Sequence, residues 1–294
     1  MKYILSCCST SDLTRDLYNK LDINVICFHY IIDGKEYSDD FGESISFEEF
    51  YQKMEKGSIT KTSQVNVEEF IEYFTPFLEK GLDILHVSLS SGISGVYNSA
   101  CIARDVLKEK YPKRNILIVD SLGASSGYGL LMSKLAQLRN EGRTIDEVYN
   151  YANENRLNVH HWFFSTDLKY YVRGGRISKT SGFFGNLFSI CPLLNMDDLG
   201  RLIPREKVRT KKNVIIRIVD KMVENAEDGL DYQGKCYICH SNCYEDALKV
   251  KELIEQKFKS IDGEVQIFNI GTTIGSHTGP GTIALFFFGN KRTD

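Results

Sequence analysis

The chain has 294 residues, 42% of them hydrophobic and only five proline, so it is a folding polypeptide of one large or two ordinary domains rather than a disordered one. A formal charge of −3 and a pI near 6.1 lack the basic surplus of a surface that coats nucleic acid. No apolar run approaches the roughly 18 residues that cross a bilayer, and the N-terminal run meets Ser and Asp too early for a secretory signal. A cytoplasmic protein is expected, its eight cysteines free thiols in a reducing compartment.

In chain order, YILS reads as a strand and SDLTRDLYNKL as a helix, and INVICFHYII closes against a turn at Asp33-Gly34, which suggests a hairpin or a strand end. Ser46 and Glu49 have capping-box spacing ahead of FEEFYQKMEKG, as do Asn66 and Glu69 ahead of VEEFIEYFTPFLEK, which stops at Gly81. Between these two helices lies a short polar link with the hydroxyls of Thr62 and Ser63. DILHVSL and NILIVDS read as short buried parallel strands, each followed by a Gly/Ser-rich loop and a helix, which is the doubly wound pattern.

The first of those loops, SLSSGISGVYNSA at Ser88 to Ala100, carries Ser91, Ser94 and Gly95 where backbone N–H groups and a helix start converge, a composition suited to gripping a small anion. After the helix TIDEVYNYANENR the character changes near Val159 to Thr166, which predicts residues 1–160 as an α/β domain and 161–294 as an α+β domain. The second half brings the basic glycine turn YVRGGRIS, the aromatic stretch FFGNLFSICPLL and a hairpin-like NMDDLGRLIPREK. Near its end a second glycine loop, IGSHTGPG at Ile274 to Gly281, holds His277 between residues that allow close backbone approach. The expected fold is α/β: a three-layer N-terminal domain on a mainly parallel sheet, and a two-layer C-terminal domain on a mixed sheet.

KCYICHSNC at Lys235 to Cys243 contains the C-x-x-C-H spacing, but Cys236, Cys239, His240 and Cys243 crowd into one short stretch that reads as a buried strand with alternate faces, so no metal or haem is expected.

CSTSDL, KTSQVN at Lys61 to Asn66, SLSSGISGVYNSA, DSLGASSGYG at Asp120 to Gly129, LKYYVRGGRIS at Leu168 to Ser178, KVRTKK at Lys207 to Lys212 and IGSHTGPG resemble, in order and over nearly the whole chain, the successive signatures of the DegV family. The resemblance implies a bacterial protein that binds a long-chain fatty acid such as palmitate and presents it to a separate fatty acid kinase for acyl phosphate formation and phospholipid metabolism. It implies no catalytic residue, no cofactor other than the bound acid, no nucleic acid, and at most a transient membrane contact. It places Thr62 and Ser94 on the carboxylate with His277 and Arg209 nearby. Four positions depart from the family's usual residues: Cys8 for aspartate, Cys27 for proline, Arg173 for lysine and Glu206 for glycine, the last adding an acid close to Arg209.

A carboxylate offers about four acceptor sites, so two hydroxyls, a ring N–H and a backbone N–H would match it. Thr62, Ser63, Ser94, Gly95 and His277 form the expected grip. Ser91, Arg173, Arg176 and Arg209 are supporting or kinase-docking groups, and Phe183, Phe184, Leu187, Phe188, Ile190, Leu193 and Leu194 an expected apolar wall. Read singly, each has an ordinary role: Thr62 and Ser94 as helix caps, His277 as a structural histidine, Arg209 on a solvated face, the apolar residues as core. The alternatives are a lipid-responsive regulatory protein and, more weakly, a small-molecule phosphotransferase. The latter lacks G-x-x-x-x-G-K-[ST], and Ser94 stands one residue short of a G-x-S-x-G elbow.

Overall fold

A computed structural model describes residues 3–178 and 190–293. The chain opens with β1 (Tyr3–Cys8), α1 (Arg15–Lys20) and β2 (Ile23–Ile26), then leaves the first sheet for β3 (His29–Ile32) and β4 (Lys35–Ser38). INVICFHYII is thus two strands in two sheets. The break falls at Cys27 and Phe28, where the Phe28 N–H donates to Ser9 Oγ and its carbonyl accepts from Asp39 N–H.

Helix α2 (Phe47–Glu55) starts at Ser46, whose hydroxyl accepts the Glu49 N–H at 3.1 Å. After β5 (Thr60–Ser63), helix α3 (Val67–Glu79) has the full reciprocal cap between Asn66 and Glu69. The stretch around Thr62 is therefore a strand rather than a link: β5 pairs antiparallel with β3, Thr62 opposite Tyr30, in a three-stranded sheet of order β4-β3-β5. Strand alternation puts Thr60 and Thr62 on one face and Lys61 and Ser63 on the other.

The strands β6 (Asp83–Ser88) and β7 (Ile116–Asp120), with α4 (Val96–Lys110) between them, complete an all-parallel sheet of order β2-β1-β6-β7. Helices α3 and α4 cover one face, and α5 (Ser125–Asn140) and α6 (Ile145–Asn155) the other. Twelve of the sixteen residues of α5 are buried, because the helix also packs on the second sheet and has hydrophobic surroundings nearly all round.

That second sheet collects β8 (Val159–Ser165), then, beyond α7 (Lys169–Arg173), β9 (Ile190–Met196) and β10 (Leu202–Arg209). The helix α8 (Lys211–Asn225) is followed by β11 (Tyr237–His240), α9 (Tyr244–Lys257), β12 (Gln266–Asn269), α10 (Thr272–Thr278) and β13 (Thr282–Phe288). The order is β10-β9-β8-β13-β11-β12, with only β11 and β12 parallel. One face, with Trp162, Phe164, Ile238 and Leu285, packs on α8 and α9, while the other, with Phe163, Leu194, Cys239 and Phe286, turns toward the first half. No helix among the described residues is long and apolar enough to cross a membrane.

Candidate functional site

His277 sits in the last turn of α10, a short helix where the glycine-rich sequence suggested a loop. The helix is held from its first turn by the other half of the chain: the buried Asp39 carboxylate accepts the Thr272 N–H and hydroxyl, and the Tyr51 hydroxyl donates to Ile270 O at 2.6 Å. Gly275 lets the Tyr51 ring approach, since a Cβ there would lie 2.3 Å from the phenol oxygen. Gly279, at φ 70°, ends the helix.

On this anchored helix His277 Nε2 lies 2.8 Å from Thr62 Oγ1, and Nδ1 lies 3.4 Å from Arg176 Nη1. A guanidinium only donates, so Nδ1 presents its lone pair to Arg176 and the ring proton sits on Nε2, donated to Thr62. The Thr62 hydroxyl hydrogen is then free to point elsewhere. Burial, reinforced by the Arg176 charge, pushes the His277 pKa down to about 4, so the ring is neutral near pH 7. Arg176 is itself half-buried and bonds the Gly174 carbonyl at 2.6 Å. Gly174 is required by this closeness, because a Cβ on it would come within 2.2 Å of His277 Nδ1.

Facing this group across the cavity is the loop after β6. Ser94 Oγ accepts the Val96 N–H at 3.2 Å and donates to Gln64 Oε1 at 3.2 Å, and Gln64 Nε2 donates to Ser99 Oγ. Gln64, within KTSQVN, was not singled out from the sequence; its adjacency to Thr62 was the available signal. Gly95 is the first half-turn residue before α4 and packs on Gln64. Ser91 is exposed, its N–H donating to Asp120 Oδ1. The loop is braced by the β9–β10 turn, whose Gly200 carbonyl accepts the Ser90 hydroxyl at 2.8 Å.

Thr62, Ser94, Arg176 and His277 border one narrow cavity of about 80 Å³. Its walls are apolar: Phe28, Leu89 and Ile93 from the first half, Phe163, Met196 and Phe286 from the second, and Ile270 and Ile274 flanking and on α10. Ser125 and His161 also face it, both already satisfied. Ser125 donates to the Asp12 carboxylate, and His161 Nε2 accepts the Ala124 N–H while Nδ1 donates to Val159 O.

Other expected site residues lie elsewhere. Ser63 is exposed on the far face of β5, its hydroxyl 3.4 Å from Glu36, because neighbouring strand residues point to opposite sides. Leu193 and Leu194 are fully buried in β9, Leu193 in the cluster under α8 and Leu194 in the cluster that includes Phe163 and Met196, and neither reaches the cavity lining. Ile190, opposite Arg209 at the strand's start, also stands off the lining. Phe183, Phe184, Leu187 and Phe188 lie outside the described residues.

Arg173 is exposed and stacks over Tyr170, and Arg209 is exposed at the end of β10. A bulge between Pro204 and Glu206 turns the Glu206 carboxylate onto Arg217 and Lys221 of α8, at 2.7 Å from each, which holds its pKa down to about 2. Glu206 is thus engaged with α8 rather than with Arg209. Cys236 and Cys239 fall in apolar clusters on opposite faces of their sheet, so the C-x-x-C-H residues do not converge on a point.

Residues 8–290 match the family model described as an uncharacterised protein of the DegV family. A DegV domain-containing protein of Clostridium perfringens is 37% identical over 99% of each chain. Among solved structures, a DegV family protein from Thermus thermophilus described by its fatty acid binding superposes with a TM-score of 0.87 at 26% identity, covering 98% of this chain and 100% of that one. A DegV lipid-binding protein from Thermotoga maritima gives 0.84 at 27% identity, covering all of both chains. DegV from Bacillus subtilis, described as a fatty acid binding protein, gives 0.83 at 26%, covering 99% of this chain and 100% of that one. With that match across both halves and the sequence signatures in order, the chain belongs to the DegV family.

Proposed function

We propose that this protein holds a long-chain fatty acid with its carboxylate between the Thr62 and Ser94 hydroxyls and its tail in the apolar cavity, and that it hands the acid to a separate kinase rather than catalysing a reaction itself. The observation that carries the reading is the mixed character of one cavity: two hydroxyls from the first half of the chain, one of them paired with His277 of the second half, border otherwise greasy walls. Related proteins described as fatty-acid binders share the fold and support the ligand class.

The division of labour follows from magnitudes. At about 0.8 kcal/mol per buried methylene, a sixteen-carbon tail gains on the order of 10 kcal/mol before ordering costs. Hydrogen bonds to a carboxylate, at about 1.5 to 3 kcal/mol each, offset its desolvation and fix which end faces the clamp. The neutral His277 orients the Thr62 hydroxyl by donating to its oxygen, which leaves the hydroxyl hydrogen for the ligand. Ser94 reaches the ligand by turning its hydrogen away from Gln64, while the Val96 N–H keeps the oxygen in place. The exposed Arg173 and Arg209 are the groups we assign to docking of the kinase.

Native mass spectrometry of freshly purified protein tests the reading. The wild-type chain should carry an acid released on denaturation, and Thr62→Ala with Ser94→Ala should reduce retention at least about tenfold. Unchanged retention, with an unchanged headgroup position in a ligand-bound structure, would refute the clamp. Charge reversal at Arg173 and Arg209 with kinase-dependent acyl phosphate formation intact would refute the docking role.

A further inference from the structure

We propose that the cavity prefers an acyl chain bearing a hydroxyl on its first few carbons, and that Thr278 is the group that bonds it; the inference rests on the fatty-acid reading above. Thr273, Ile274, His277 and Thr278 form the stripe that α10 presents to the cavity. Thr278 is only 8% exposed, and its hydroxyl is buried without a hydrogen-bond partner among the described residues.

The polar groups around it are already engaged. Thr282 Oγ1 donates to the Thr278 carbonyl at 3.4 Å, and the Tyr171 hydroxyl is 3.3 Å from Thr282 Oγ1, to which it can therefore donate. Thr62 is paired with His277, and the Thr273 hydroxyl, also buried without a hydrogen-bond partner among the described residues, lies at the other end of the helix on the side of the Asp39 carboxylate. Valine has nearly the same shape as threonine and would line this wall without burying an unpaired hydroxyl. What restores a bond to Thr278 is therefore a polar group inside the cavity. Position follows from sequence: Thr278 is the residue after His277, about 3.8 Å away from Cα to Cα, and both line the cavity, so Thr278 belongs to its carboxylate end rather than its tail end. A 2-hydroxy or 3-hydroxy long-chain acid puts a donor and acceptor there.

The test is competition for delipidated protein among equimolar hexadecanoic, 2-hydroxyhexadecanoic and 3-hydroxyhexadecanoic acids, read by native mass spectrometry. Wild-type protein should retain one of the hydroxy acids over the plain acid by about three- to tenfold, the range one net hydrogen bond gives. Thr278→Val should equalise them while keeping the plain acid, and Thr278→Ser should keep the preference. Retention of the plain acid with no hydroxy preference, or a preference that survives Thr278→Val, would overturn the inference alone. Tighter plain-acid binding by Thr278→Val with no wild-type preference would also overturn it, assigning the hydroxyl to a bound water. Retention of no acid by any variant would overturn the fatty-acid reading, and this inference with it.

Discussion

The cavity is bordered by two histidines, His161 buried and His277 half-buried, that differ in what surrounds them. His161 is held on both ring nitrogens by backbone groups, the Ala124 N–H and the Val159 carbonyl, and a Cβ on Gly127 would lie 2.1 Å from its Nε2. Its tautomer is fixed, its partners cannot rotate, and it is wall. His277 meets two side chains, the Thr62 hydroxyl and the Arg176 guanidinium, and both can reorient when a ligand arrives. Both rings are neutral for the same reason, burial, so their protonation state does not separate them. A histidine is poised to act when its partners are mobile side chains with hydrogens left to give.

The largest expected effect removes what the two rings share. Burial lowers the pKa of His86 to about 3 and of His160, His240 and His277 to about 4, and holds His161 well below its ordinary value. A depressed folded pKa means that the stability is present above the unfolded value of about 6.5 and is lost as pH falls toward the folded value. A shift from about 6.5 to about 4 is worth about 3 kcal/mol per ring. Asp12 and Asp39, whose carboxyls burial pushes up, act in the opposite sense, since protonation relieves the folded state, but they are two against five. Urea midpoints should therefore fall steadily between pH 6.5 and pH 4. A flat profile would show that the rings are not held neutral.

Substitution then separates the two histidines. His161→Ala should lower stability by about 3 kcal/mol, because it opens a void and strands the Ala124 N–H. His277→Ala should lower it by about 1 kcal/mol and instead weaken retention of the acid. Urea titration beside native mass spectrometry reads both. Equal stability losses would erase the contrast.

A smaller effect concerns the proton that His277 lacks. A ligand carboxylate beside the ring favours imidazolium, so the bound-state pKa rises above about 4 and binding takes up a proton. Retention should tighten as pH falls below the bound-state pKa, by up to about tenfold per unit, and His277→Gln should flatten that slope. An unchanged slope in the variant would assign the proton elsewhere.

Much of this was legible in the sequence, for local reasons. Capping spacings, the parallel-strand pattern and the Gly/Ser turns are set by neighbouring residues, and they announced the helix starts at Ser46 and Asn66 and the strands β6 and β7, whereas Thr62 lies in a strand and His277 in a helix where a link and a loop were read. The β3–β4 hairpin was signalled by the turn at Asp33-Gly34, but the third strand of that sheet was missed because β5 (TKTS) is polar, with no alternation of apolar residues to announce it. The described part of the cavity wall was missed because Phe28, Ile93, Met196 and Ile274 come from four distant segments, and no spacing rule joins them. Arg176, read as a supporting or docking group, stands against His277, a contact across 101 residues that depends on Gly174 leaving room.

The smallest effect is the sharpest check on the strand. If the Thr62 segment were a flexible link, Thr62 and Ser63 would be interchangeable donors, and losing either would weaken the grip comparably. In β5 they cannot be, since the pairing of Tyr30 with Thr62 and of His29 with Ser63 fixes opposite facings. Ser63→Ala removes only an exposed hydroxyl 3.4 Å from Glu36, so its stability should stay within about 0.5 kcal/mol of wild type and acid retention should be unchanged. Thr62→Ala, one residue away, should lower retention severalfold by itself. Comparable losses from both substitutions would mean that β5 does not keep its register when the ligand binds, and the clamp would have to be rebuilt around a mobile segment.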